Sequence, residues 1–239
     1  MAQLLIVKTG NAFPEIIDAH GNFEALFQRQ LKTALPPGLT LHVFDAPRES
    51  PLPELSSLAG IVITGSHSMV SAAEPWSEAL KPWLVEALER DIPMLGVCYG
   101  HQLMASAFGG VSDYHPAGRE SGTRQVTLNE YAQGDPLLGE LPQHFHAHLT
   151  HAQSVLRPPE NTRILAGNKH DPYQALRYGP HQWSVQFHPE FTVPVMHAYL
   201  ERQRSALREQ GEDPQVLMDA VRPTPEATAL LPRFVSLLG

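Results

Sequence analysis

The chain has 239 residues, with 17 basic against 25 acidic side chains for a formal charge of −8, and 42% of its residues are hydrophobic. That length suits one large α/β domain with a sizeable core, and the acidic balance without any Lys/Arg cluster excludes a nucleic-acid surface. A single cysteine, Cys98, excludes an internal disulfide framework and fits a reducing compartment. The N-terminal apolar stretch is too short for a signal peptide and no segment approaches a membrane span, so a cytoplasmic protein is expected.

Along the chain, Leu4–Val7 reads as a first buried strand, and Phe23–Leu31 has helical spacing closed by Pro36-Pro37-Gly38. Leu39–Phe44 and Gly60–Thr64 read as further strands. Pro75–Arg90 is amphipathic, with Trp76, Leu80, Trp83, Leu84, Ala87 and Leu88 placed to pack on a sheet. Pro82 lies inside that pattern and predicts a kink or a late helix start. The apolar run Ile92–Val97 then leads into Cys98, followed by the helix-like Gln102–Phe108, which stops at Gly109-Gly110. After Gly110 come Thr123–Leu128, Arg163–Ala166, Tyr173–Tyr178 and Trp183–Phe187, short strands that predict an antiparallel extension. Val193–Arg208 and Glu226–Leu238 are helical. Strands alternating with helices predict a mostly parallel twisted sheet with helices on both faces, beside that small extension. The whole chain, 1–239, is expected to be one domain, with a core of about 1–195 and a C-terminal helical segment over about 193–239.

A buried strand running straight into a helix through Gly96-Val97-Cys98-Tyr99-Gly100 has the layout of a nucleophile elbow. Cys98 would sit at the helix N-terminus, where the dipole and the free N–H groups favour a thiolate. A buried core cysteine fits the same residues equally well. The far end of the chain separates the two readings. Gln182–Phe187 delivers His188-Pro189-Glu190, and Pro189 cannot continue a ladder, so His188 and Glu190 belong at a strand end. Active sites in open α/β sheets form at such ends. An imidazole there can take the thiol proton, and a carboxylate two residues on can orient it.

These pieces, Gly96–Gln102 and Gln186–Glu190, together with the strand and glycine turn Ile61–Ser66, resemble the class I (triad-type) glutamine amidotransferases over roughly residues 1–195. The resemblance implies a flavodoxin-like fold and casts Cys98 as nucleophile, His188 as general base and acid, and Glu190 as orienting carboxylate. The elbow itself supplies the backbone N–H of Tyr99 to an oxyanion, and the resemblance assigns the second donor to the backbone N–H of Gly65. A strand-to-loop turn also often needs a glycine for positive φ. Gln102, one helical turn after Cys98, is implied to bind the substrate glutamine. Thr150–Val155 is similar to the loop that holds the substrate's α-amino and α-carboxylate groups, through His151 and backbone groups of Ala152 and Gln153. His148 is also expected to line it. Several relatives carry an acid where neutral Gln153 stands, and many have additional glycine or proline in the turn Gly65-Ser66-His67.

The implied activity is hydrolysis of the glutamine side-chain amide through a γ-glutamyl thioester on Cys98, with ammonia released to an acceptor on a separate synthetase chain. Only about fifty residues follow Glu190, too few for a nucleotide-binding synthetase domain, and no P-loop pattern occurs. The arrangement also resembles stand-alone relatives of the GMP synthase glutaminase domain, some of which are γ-glutamyl peptidases, so cleavage of γ-glutamyl amides or peptides is the alternative. A binding module that has lost turnover is disfavoured by the presence of all three triad residue types. Intracellular-protease-like thiol proteins do not need a His-Pro-Glu strand end. No cofactor is implied, and His144, His146, His148 and His151, without Cys or acidic partners nearby in sequence, are not read as a metal site.

Overall fold

In a computed structural model describing residues 2–238, the first strand, β1 (Gln3–Lys8), sets the layers. Its side chains alternate between two faces, as the pleat requires. Leu4 and Ile6 pack with Val62, Leu95 and Val97 in one cluster, whereas Leu5 and Val7 pack with Ile61, Ile63 and Met94 in another. Helices α2 (Phe23–Leu31) and α9 (Leu230–Ser236) cover the first face through Phe27, Leu31, Leu230 and Phe234. The opposite face is covered by α3 (Pro75–Glu89) and α4 (Tyr99–Ala107) through Leu80, Trp83, Leu84, Leu103 and Met104.

The parallel part of the sheet consists of β2 (Thr40–Asp45), β1, β3 (Leu58–Ile63), β4 (Met94–Val97) and β11 (Gln182–Val185), in that spatial order. Beyond β11 the sheet turns antiparallel through β10 (Ala175–Arg177), β9 (Arg163–Gly167), β6 (Glu120–Leu128) and β7 (His144–His151). The extension therefore contributes four of the nine strands. A separate two-stranded sheet pairs β5 (Val111–Tyr114) with β8 (Gln153–Arg157).

Several boundaries differ from the sequence expectations. Pro82 neither delays nor ends α3, which starts at Pro75 and runs through it. The C-terminal helices are shorter pieces: α5 (Val193–Arg202) is separated at Gln203 from α6 (Arg204–Glu209), and α7 (Pro214–Asp219) and α8 (Pro225–Thr228) precede α9. With α1 (Pro14–His20), α5–α7 form a third cluster around Ile16, Phe23, Phe191, Tyr199 and Leu217. Thr150–Val155 is not a loop. It is the end of β7 and the start of β8, with Ala152 alone between them. Among the described residues no helix is long and apolar enough to cross a membrane.

Candidate active site

Strands β4 and β11 are parallel neighbours that end together, Val97 opposite Val185. Cys98 follows directly and bonds back to β11, its N–H donating to the Val185 carbonyl at 2.9 Å. Its backbone sits at φ 52°, ψ −101°, outside the allowed regions for an L-residue, a conformation that costs on the order of 1–3 kcal/mol and must be held by its surroundings. The hold is close packing. A Cβ at Gly96 would lie 2.6 Å from the Gly100 carbonyl oxygen, and one at Gly100 would lie 2.6 Å from the Ile63 carbonyl oxygen. Only residues without side chains let the strand, the turn and α4 approach this closely.

Three residues beyond Val185 stands His188, its N–H donating to the His148 carbonyl of β7 at 2.9 Å and its ring stacked on Phe191 at 4.1 Å. Nδ1 lies 2.7 Å from Oε1 of Glu190, and both side chains are buried. Burial opposes a charge on His188, but the Glu190 carboxylate and Cys98 outweigh it and raise the imidazole pKa well above its ordinary value. With Nδ1 held by Glu190, Nε2 is left as a buried nitrogen with no hydrogen-bond partner among the described residues. The triad residues of the sequence reading are thus brought together, with Glu190 behind the imidazole and Cys98 and His188 both on the wall of a cavity of about 230 Å³.

Gly65 borders the same gap. An added Cβ would lie 3.0 Å from Cε1 of His188 and 3.6 Å from Cβ of Cys98. Its φ is not in the positive range, so space beside the imidazole, rather than a turn conformation, is what requires glycine here. The Thr64 carbonyl accepts from the Thr9 hydroxyl at 3.0 Å and from the Gly100 N–H at 3.2 Å. Because the peptide is planar and trans, pinning that carbonyl also fixes the direction of the Gly65 N–H. Neither this N–H nor that of Tyr99 donates a hydrogen bond within the described residues. The Tyr99 side chain points away into the core, its hydroxyl 2.6 Å from Ser77 Oγ, so its backbone alone faces the site.

Gln102, His151, Ala152 and Gln153 also line the cavity, but most of their polar atoms are already bonded. Gln102 Nε2 donates to the Gln153 carbonyl at 2.6 Å and to Gln186 Oε1 at 3.0 Å, which leaves its carbonyl oxygen as the uncommitted end. Both ring nitrogens of His151 are engaged, with the Gln153 carbonyl at 2.9 Å and with Glu120 at 3.0 Å. The Ala152 carbonyl accepts from the His115 N–H, and the Gln153 carboxamide bonds Ser71. His148 does not line this cavity; it bonds Thr123 on β6.

Sequence reasoning missed the outer wall: Phe13, His67, Arg119, Tyr199 and Gln203. His67 stacks on Phe13 at 4.0 Å and meets the Tyr199 hydroxyl at 3.1 Å; burial lowers its pKa to about 4, with the charge on His188 adding to the effect. Departure of Gly65-Ser66-His67 from the usual turn was visible in the sequence, but nothing there placed α5 above it. Arg119, alone in a short turn before β6, carried no signal.

The family model for glutamine amidotransferase class-I matches residues 15–204. The glutamine-hydrolyzing GMP synthase of Aeropyrum pernix is 30% identical over 176 residues, 73% of this chain and 32% of that protein. One subunit of the glutamine-hydrolyzing GMP synthase of Methanocaldococcus jannaschii is 29% identical over 180 residues, 73% of this chain and 86% of that protein. The chain thus spans about a third of the length of the long relatives and most of the shorter one. A crystal structure of a glutamine amidotransferase from Thermotoga maritima superposes with a TM-score of 0.74 at 19% identity, over 99% of this chain and 97% of that one. The residues from 15 to 204, which include the elbow and the His-Pro-Glu strand end, match one family throughout, and the chain belongs to the class I glutamine amidotransferases.

Proposed function

We propose that the protein hydrolyses the side-chain amide of glutamine through a γ-glutamyl thioester on Cys98. The observation that carries this reading is the meeting of the strained Cys98 with the His188–Glu190 pair on one cavity wall. The Cys98 thiolate attacks the carboxamide carbon, forming the S–C bond while the oxyanion takes the free N–H groups of Gly65 and Tyr99. As the intermediate collapses, the C–N bond breaks and protonated His188 gives its proton to the departing ammonia. The neutral imidazole then takes a proton from water, whose oxygen attacks the thioester; the S–C bond breaks, glutamate leaves and the thiolate–imidazolium pair returns. Glu190 holds the ring through Nδ1 in both halves. The Methanocaldococcus jannaschii relative, one subunit of its enzyme, favours an acceptor of the ammonia on a separate synthetase chain.

A second substrate has an observation in its favour. No carboxylate lines the catalytic cavity among the described residues, whereas Arg119 does. Such a wall favours a substrate with net negative charge, as a γ-glutamyl peptide has and zwitterionic glutamine has not. A side-by-side assay of glutamine and γ-glutamyl dipeptides, with thioester trapping by mass spectrometry, tests both. A thioester adduct on Cys98, absent in Cys98→Ser with an unchanged melting curve, is the expected result. Undiminished hydrolysis by Cys98→Ser would remove the nucleophile assignment, and a thioester from dipeptides but not from glutamine would select the peptidase.

A further inference from the structure

Among the described residues, Arg119 is the one arginine or lysine bordering the catalytic cavity. It is half-buried, and it has no part in the ion pairs made by Arg90, Arg124, Arg177, Arg202, Arg204 and Arg233. Burying an unpaired guanidinium is costly unless an anion meets it. Burial draws the pKa of this group down while the negative charge of Cys98 draws it up, which sets the guanidinium within electrostatic reach of the nucleophile. The backbone on which it stands is clamped. Gln210, just after α6, accepts from the Arg119 N–H at 2.8 Å and donates to its carbonyl at 2.6 Å. Arg119 also borders a second, outer cavity of about 520 Å³ with Arg124, Lys169, Glu120 and Glu212. There Glu212 pairs with Arg124 at 3.1 Å, and Glu120 turns inward to His151 and Gln174 at 3.0 and 2.9 Å. Of the lysines and arginines bordering this outer cavity, Arg119 and Lys169 are left without a carboxylate partner among the described residues.

We infer that Arg119 is a specificity-determining residue that binds a carboxylate of the substrate. The inference rests on the reading of Cys98 as the nucleophile for γ-glutamyl amides, and it adds what that reading lacks, the group that recognises the rest of the molecule. A guanidinium offers a planar fork that matches a carboxylate with two parallel hydrogen bonds. Two carboxylates can occupy it: the α-carboxylate of the glutamyl half, or one on the amine half of a γ-glutamyl peptide.

The test compares wild type, Arg119→Gln and Arg119→Lys on γ-glutamylglycine, on γ-glutamylglycinamide, and on γ-glutamylglycine carrying an α-carboxamide. Arg119→Gln is expected to lower kcat/KM for γ-glutamylglycine at least tenfold, mainly through KM, with Arg119→Lys intermediate. On the analogue that lacks the carboxylate Arg119 holds, wild type and Arg119→Gln should become alike. The glycinamide arm identifies the amine half and the α-carboxamide arm the glutamyl half. Equal losses on all three compounds, or no loss, would overturn the inference. A readout without turnover separates it from the mechanism: alkylation of Cys98 by iodoacetate relative to iodoacetamide should fall at least threefold in Arg119→Gln. If that ratio falls while wild type forms no thioester from any γ-glutamyl compound, Arg119 binds carboxylates and the hydrolase reading is wrong. An unchanged ratio counts against Arg119.

Discussion

At the scale of single residues, the site depends on which charges His188 can see. Burial alone would keep this imidazole neutral, and the Glu190 carboxylate 2.7 Å from Nδ1 is what reverses that preference together with Cys98. Glu190→Gln keeps the size and removes the charge. The His188 pKa then falls, the imidazolium is lost at lower pH, and the Cys98 thiolate loses its counter-charge. Alkylation of Cys98 by iodoacetamide at pH 6 should slow at least ~10-fold, since one pKa unit is a tenfold change in the charged fraction. The rate at pH 10 should move far less. A pH–rate curve identical to that of wild type would show that Glu190 does not hold the pair charged.

Among the elements, the strand–turn–helix from Met94 to Ala107 is limited by contact between backbones. Gly100→Ala places a methyl group 2.6 Å from the Ile63 carbonyl oxygen and 2.8 Å from Ile63 Cβ, neither of which is a mobile side-chain end. Overpacking of this kind costs about 1–3 kcal/mol, and the rigid neighbours put this case near the upper figure. A fall in melting temperature of roughly 6–12 °C is the expected outcome, and a melting curve within about 1 °C of wild type would mean that α4 shifts freely on β3.

The same elements explain what was legible beforehand. The elbow strand, α3 and the His188 strand end are local patterns, and class I motifs occupy the first and the last of them. Harder cases were non-local. β5 finds β8 across some forty residues, Val111 pairing with Arg157 and Tyr114 with Gln153, and neither short segment shows its partner in sequence. β7 was readable in principle, because His144-Phe145-His146-Ala147-His148-Leu149 alternates as a half-buried strand does. Its histidines are held separately in the fold, His144 bonding Thr127 and His148 bonding Thr123 on the neighbouring strand, and His151 bonding Glu120.

For the whole molecule, the buried histidines set how stability follows pH. His101 is fully buried, with Nδ1 2.7 Å from Ser184 Oγ; burial lowers its pKa to about 3. His148 is nearly as buried, and burial with the charge on His188 lowers it to about 4. In the unfolded chain both titrate near 6.5. Below that pH the unfolded state takes up protons that the folded state refuses, so stability falls as pH drops, by about 1.4 kcal/mol per pH unit for each histidine once the unfolded form is charged. Between about pH 6.5 and 5 the acid limb belongs chiefly to histidines, because exposed carboxylates titrate lower. His101→Gln removes one of the refused protons, and the decline of stability with pH over that interval should become shallower by about 1.4 kcal/mol per unit, whatever the variant loses at pH 7 through packing. If the slope is unchanged, His101 takes up its proton in the folded state, and burial does not hold it neutral at the centre of the sheet.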